Sequence, residues 1–260
     1  SDYNHYVNLI TDMVGYGYEL IEKNEYLLKY ADETLYDHQK QLFTICKNPT
    51  PKLILYIAPT GTGKTMSPLG LTTNHRVIFV CAARHVGLSL AKAAISMQKK
   101  IAFAKSGGIG KVDNSRGEKV ELMISDVQSY LPAMLYMLAF NPKEKIITYW
   151  DEPTMTMDYE EHELHKLIKK NWCENLIPNI VLSAATLPQQ KEITDVIMNF
   201  CSRFDNVDVH EVISYDCKKT IPLINREGFV EMPHYLYDDY NKILEVVEHC
   251  KEHKTLLRYI

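Results

Sequence analysis

Leu53-Ile-Leu-Tyr-Ile57 runs straight into Ala58-Pro59-Thr60-Gly61-Thr62-Gly63-Lys64-Thr65, and the reading of this stretch decides the fold. Its first half is a short continuous apolar run closed by proline and glycine, as expected of a strand buried on both faces of a parallel sheet. Its second half is a glycine-rich turn. The glycines let the backbone wrap an anion in conformations that a Cβ would forbid. Successive N–H groups and the N-terminus of a following helix then face phosphate oxygens. Lys64 is expected to reach the β and γ phosphates of a nucleotide, and the Thr65 hydroxyl to complete a magnesium shell. Thr60, Gly61, Thr62, Gly63, Lys64 and Thr65 are thus the expected nucleotide-binding loop. A chance glycine turn is the bland alternative, and the strand before it and helix after it argue against that.

Outward from this loop, similar apolar runs occur at 77–81, 101–104, 120–124, 146–150 and 180–183. Helical spacing lies between them. Val86, Leu90, Ala93 and Met97 fall on one helical face, as do Val127, Leu131, Met134, Leu135 and Leu138. Pro132 is tolerated only in a first turn, which starts the second of these helices near Ser129. Strand alternating with helix implies an α/β fold, a doubly wound parallel sheet whose ligands sit at the carboxyl ends of the strands.

The strand Lys145-Ile-Ile-Thr-Tyr-Trp150 ends in Asp151-Glu152-Pro153-Thr154. An aspartate there can hold magnesium through water, and the adjacent glutamate can orient and deprotonate an attacking water. Alone this would be a charged turn; downstream of a phosphate loop, in a sheet of this order, it reads as a catalytic pair. Lys64, Asp151 and Glu152 are the catalytic candidates, and Thr65 and Asp151 the metal candidates.

The flanks differ in composition. Residues 1–35 are polar, tyrosine-rich and patchily helical, an N-terminal extension to a domain over 36–212. Over 213–260, Pro222, Gly228 and Pro233 punctuate a linker, Ile243, Leu244, Val247 and Cys250 give a helix face, and Thr255-Leu-Leu-Arg-Tyr-Ile260 reads as an opening strand. The expectation is the truncated start of a second domain.

Composition narrows the class. The chain has 260 residues, 46% of them hydrophobic, enough for one large α/β domain with a surplus. No apolar run approaches the ~20 residues that span a bilayer, so no membrane partner is expected. Ser1-Asp2-Tyr3-Asn4 lacks the layout of a signal peptide. Six cysteines stand without a C-x-x-C pair, which predicts free, mostly buried thiols and an intracellular setting. The formal net charge of −4 offers no global basic field, so any nucleic acid must bind through a local groove. His162-Glu163-Leu164-His165 lacks the zincin spacing of histidines and reads as a solvated helix face. Met155 and Met157 read as packing residues.

Taken together, residues 36–200 resemble the first RecA-like domain of a superfamily-2 helicase of the DExD/H type. The form A-x-x-G-x-G-K-T, with Ala58 in first place, is common in that family. Tyr36-Asp-His-Gln39 lies where the family places a glutamine that reads adenine, which implies ATP as the nucleotide with Mg2+ beside it. Ala82-Ala-Arg84-His-Val-Gly resembles a motif that contacts nucleic-acid backbone. Ser106-Gly107-Gly108 resembles the family's glycine pair, and Ser125-Asp126-Val-Gln128 stands where a phosphate-contacting turn often lies. Leu182-Ser183-Ala-Ala-Thr186-Leu-Pro188 resembles the Ser-Ala-Thr motif that links nucleotide state to nucleic-acid binding. The resemblance therefore implies Gln39 at the base, Arg84, Gly107, Gly108, Ser125 and Gln128 at nucleic acid, and Ser183 and Thr186 in coupling. It implies single-stranded or structured RNA or DNA as partner, and a second RecA-like domain. Two departures stand out: the acidic motif reads Asp-Glu-Pro-Thr, and an extra alanine separates Ser183 from Thr186. The resemblance supports an ATP-driven helicase or translocase. An ATP-gated clamp with little unwinding is the rival, and the intact Lys64, Asp151 and Glu152 favour a live ATPase. A packaging-type P-loop motor is disfavoured by Gln39 and the 183–188 motif.

Overall fold

The computed structural model describes residues 36–59, 64–105, 108–110, 117–153, 163–185, 190–214, 223–224, 226–227, 230–232 and 239–253. The chain divides into two compact units, Tyr36–Tyr215 and a second made of Ser1–Leu35 with Asp216–Ile260. The expected N-terminal extension and the expected closing strand lie outside the described residues.

The larger unit is built on strands β1 (Lys52–Ile57), β2 (Arg76–Cys81), β3 (Ile101–Lys105), β4 (Gly108–Gly110), β5 (Leu122–Ser125), β6 (Ile146–Asp151), β7 (Asn179–Ala184) and β8 (Asp208–Ile213). They form one sheet in the order β4-β3-β5-β2-β6-β7-β1-β8. Every pairing is parallel except that of the short β4, which folds back antiparallel on β3. The doubly wound parallel sheet expected from the sequence is what forms. β1 and β6 are buried at every position, as strands covered on both faces must be. β8 was not foreseen, because Asp-Val-His-Glu-Val-Ile is no continuous apolar run. Among the described residues it pairs only with β1, and an edge strand tolerates such charges.

Helices α1 (Asp37–Cys46), α2 (Ser67–Leu71) and α3 (Arg84–Ser96) cover one face, and α4 (Tyr130–Phe140), α5 (Glu163–Glu174) and α6 (Gln190–Arg203) the other. Alternation along β2 shows the division: Val77 and Phe79 join the core under α1–α3, while Ile78 and Val80 join the core under α4 and α5. α2 packs closely on α1, since a Cβ on Gly70 would lie 2.3 Å from Phe43 Cζ. That contact holds the segment carrying Gln39 against the helix that follows the phosphate loop.

Two expected helix faces turn out rotated. α3 buries Gly87, Leu90, Ala91 and Ala94, leaves Val86 and Ala93 partly covered, and exposes Met97. The reading from bulk fails because the closest approach is made by small residues: a Cβ on Gly87 would meet Cys81 Sγ and Ile124 Cγ2, each at 3.1 Å. α4 starts after Ser129 as expected, but buries Tyr130, Ala133, Met134 and Met137 and leaves Leu135 exposed. Among the described cysteines, Cys46 and Cys81 are buried but Cys173 and Cys201 are exposed, which corrects the expectation of mostly buried thiols. Burial pushes the Cys46 thiol up to about 12 and the Cys81 thiol up to about 11, so both stay protonated and unreactive.

In the second unit, β9 (Leu223–Ile224) pairs antiparallel with β10 (Val230–Met232), and α7 (Tyr240–His253) follows. Leu244 and Val247, expected on an apolar helix face, are exposed.

The orientation of α4 gives a direct check. Met134→Ala should cost about 2–5 kcal/mol in urea unfolding, as truncations of buried side chains do. Leu135→Ala should stay within about 0.5 kcal/mol of the parent. Equal losses at both positions would refute the observed face.

Candidate functional site

The sheet gathers the chemistry because its parallel strands end together. In register, Cys81 lies beside Asp151, Asp151 beside Ser183, and Ser183 beside Tyr56. Strands β6, β7 and β1 are neighbours, so the acidic pair, Ser183 and the start of the glycine-rich loop share one edge. Lys64 opens a short 3-10 helix, Lys64–Met66, that leads into α2.

Lys64 and Glu152 form the site's central contact. Lys64 Nζ donates to Glu152 Oε1 at 2.5 Å, with the lysine side chain 3% exposed and the glutamate 23%. A charge this withdrawn from water needs its partner, and removing either would leave the other uncompensated. Glu152 itself has φ +48, a left-handed conformation that costs a residue other than glycine of order 1–3 kcal/mol. It is fixed there by its N–H, which donates to the Ser183 carbonyl at 2.7 Å.

Asp151 is buried, and its Oδ1 has no hydrogen-bond partner among the described residues. Burial raises its carboxyl to about 6; the nearby Lys64 charge pulls it back, and Glu152 pushes it further up. An unpartnered carboxylate oxygen at a strand end, close to Lys64, fits a hard divalent cation with oxygen ligands, as magnesium is. The Thr65 side chain, expected to share that ion, lies outside the described residues, as do Thr60, Gly61, Thr62 and Gly63.

Sequence reasoning missed Tyr149. Its hydroxyl donates to the Lys64 carbonyl at 2.8 Å and meets Ser183 Oγ at 3.0 Å. Both contacts have the phenol as donor, so its single hydrogen is shared between the Lys64 carbonyl and Ser183 Oγ, the carbonyl being the nearer. Burial holds the phenol well above its ordinary value, so it stays neutral. The available signal was its place: two residues before Asp151 on one strand, hence on the same face, with a hydroxyl that needs partners once buried. A second buried pair was also missed. His38 Nδ1 lies 2.5 Å from Tyr56 Oη, which lies 3.2 Å from Ser67 Oγ at the head of α2.

Gln39 sits in the first turn of α1 and is buried, and its Oε1 accepts the Tyr36 N–H at 3.1 Å. Part of its amide is therefore used in capping the helix. Among the residues expected at nucleic acid, Arg84 is exposed at the first turn of α3 and Gln128 is exposed beyond β5. Gly108 opens β4, while Gly107 and Thr186 lie outside the described residues. Ser125 is 1% exposed, and its hydroxyl donates to the Asp126 carbonyl at 2.8 Å. Arg84, Gly108 and Gln128 follow the adjacent strands β2, β3 and β5. The nucleotide candidates on β1, β6 and β7 take the neighbouring half of the same edge.

No family model matches this chain, and no curated protein sequence matches it. Solved structures do match. The DEAD-box helicase Mss116, solved bound to ssRNA and UDP-BeF, is similar with a TM-score of 0.51 at 12% identity, over 88% of this chain and 49% of its own. A DEAD box protein from the hyperthermophile Methanococcus jannaschii is similar over 84% of this chain and 57% of its own, at 17% identity and a TM-score of 0.49. A hypothetical ATP-dependent RNA helicase from Sulfolobus tokodaii is similar over 74% of this chain and 56% of its own, at 19% identity and a TM-score of 0.47. The chain spans about half the length of the structures it matches. What is shared is the fold alone, an α/β RecA-like fold.

The buried Asp151 makes stability depend on pH. Its folded pKa is raised, so between the ordinary carboxylate range and about 6 the folded protein holds a proton that the unfolded chain releases. That contribution is present at low pH and is lost as pH rises through about 6. In the nucleotide-free protein, Asp151→Asn should therefore raise the unfolding free energy from urea titration at about pH 7.5, by up to roughly 3 kcal/mol, and much less at about pH 4. A gain that grows toward low pH would contradict this reading of the site.

Proposed function

We propose that this chain is the ATP-binding motor domain of a nucleic-acid-dependent ATPase of the helicase type. The observation that carries the reading is the Lys64–Glu152 pair beside buried Asp151, at the ends of adjacent parallel strands. Lys64 would leave Glu152 for the phosphates of ATP. Glu152, so released, would be free to accept a proton from an attacking water. Asp151 and Thr65 would hold magnesium, which would supply positive charge against the phosphates. Gln39, with its carboxamide already partly committed, would read adenine with what remains.

The nucleic-acid partner is single-stranded or structured RNA or DNA, lying across Arg84, Gly108 at the head of β4 and Gln128. Support comes from their place on adjacent strand ends and from the ssRNA in the Mss116 structure. Transfer of the γ-phosphoryl group builds charge that one lysine and one metal neutralise only in part, and a facing arginine is commonly worth ~10³–10⁵ in rate. We assign that arginine to a second RecA-like domain. Arg203 is engaged elsewhere, its Nη1 donating to the Trp172 and Cys173 carbonyls.

Calorimetric titration tests the nucleotide half: Mg-ATP and Mg-ADP should bind, and Lys64→Ala should abolish binding. Unchanged binding by that variant would end the assignment. Filter binding of single-stranded oligonucleotides tests the other half. Affinity should fall with salt and vary little with sequence, and Arg84→Ala should weaken it and flatten the salt slope by about one unit. The same affinity and slope in the variant would move the groove elsewhere.

A further inference from the structure

Four residues close a ring beneath the nucleotide site. Lys64 Nζ bonds Glu152 Oε1, the Glu152 N–H bonds the Ser183 carbonyl, Ser183 Oγ bonds Tyr149 Oη, and Tyr149 Oη bonds the Lys64 carbonyl. Three separate segments meet in it: the base of the phosphate loop, the end of β6 and the end of β7. Tyr149 is the one member that lies in none of the motifs read from the sequence. Its neighbours hold it rigidly, for its ring stacks on Phe79 at 5.8 Å and meets Tyr56 edge-on at 6.4 Å. It is 0% exposed, so the hydroxyl has no solvent to turn to. A buried hydroxyl is retained at a desolvation cost unless its bonds are made, and here both are made to residues of the proposed motor.

We propose that Tyr149 is a positioning residue whose hydroxyl sets the backbone of Lys64 for phosphate binding and ties it to Ser183. This rests on the reading of the site as an ATP site. The physical logic is that the ring has two links to Lys64. One, through Glu152, is broken when the lysine ammonium turns to a phosphate. The other, through Tyr149, runs to the lysine's backbone and does not compete with phosphate. Ser183 is therefore joined to Lys64 in both conditions, through Tyr149 alone once Glu152 has been released. Any shift of the Lys64 backbone on nucleotide binding is transmitted to the end of β7 by this hydroxyl.

The test is a double-mutant cycle on the 260-residue chain, titrated calorimetrically with Mg-ADP and Mg-ATP at a temperature where circular dichroism shows each variant folded. Tyr149→Phe keeps the ring and removes the hydroxyl. It should weaken both nucleotides about three- to tenfold, the range of one or two buried hydrogen bonds. Ser183→Ala, which leaves the Tyr149–Lys64 bond in place, should weaken them about twofold, and should add nothing in the Tyr149→Phe background. A residue that serves only the core would lower the melting temperature and leave folded-state affinity alone. Parent-like affinity in Tyr149→Phe, with binding abolished in Lys64→Ala, would overturn the proposal while the ATP reading stands. Absence of nucleotide binding by the parent chain would overturn both. Should Tyr149→Phe fail to fold, Ser183→Ala decides: unchanged affinity there overturns the proposal.

Discussion

Parallel strands in a common register impose the constraint on which the site depends. Because β1, β7 and β6 run side by side, Tyr56, Ser183 and Asp151 are aligned across the sheet. The loop after β1 and the carboxylates after β6 then have nowhere to converge but one edge. Parallel pairing demands crossovers, crossovers demand helices, and helices on both faces leave the strand ends as the accessible backbone. The left-handed turn at Glu152 follows from this. The residue after a strand must leave the sheet, and here its N–H stays bonded to Ser183 while its side chain doubles back to Lys64.

Two buried lysines show how partners separate structure from chemistry. Lys52, at the start of β1, is 2% exposed and donates to the Asn48 and Thr50 carbonyls and to Asn179 Oδ1. Its three hydrogens are all placed, and it seals the far end of the sheet as a structural cation. Burial lowers its pKa, and no carboxylate among its hydrogen-bond partners holds it. Lys64, in the 3-10 turn beyond the other end of that strand, has one carboxylate partner among the described residues, the contact that the proposed function exchanges for a phosphate. One lysine is thus locked by three acceptors and the other held by a single side chain.

Much of this was legible in the sequence. The apolar runs located β1, β2, β6 and β7, because strands buried on both faces admit little else. The strand end that carries Asp151 and Glu152 was legible because an apolar run closed by carboxylates marks where a buried strand leaves the sheet. Helix faces were misread at Met97 and Leu135, since hydrophobicity marks bulk while packing follows proximity, and Gly87, Ala91 and Ala94 make the close approach. β8 was invisible because one neighbour suffices for an edge strand. Tyr149 and the His38–Tyr56 pair were missed for a different reason. Their significance lies in contacts between segments distant in sequence, and no spacing rule carries those.

On the function proposed, Lys64 exchanges Glu152 for phosphate while the backbone tie through Tyr149 persists. A crystal structure of the chain with magnesium and a non-hydrolysable ATP analogue tests this most directly. The account predicts the triphosphate over the 58–65 loop, Lys64 Nζ within hydrogen-bond reach of its oxygens and away from Glu152, the metal beside Asp151, and the Tyr149–Lys64 bond intact. A nucleotide bound elsewhere, or a Lys64 still paired with Glu152 at saturating ligand, would contradict it.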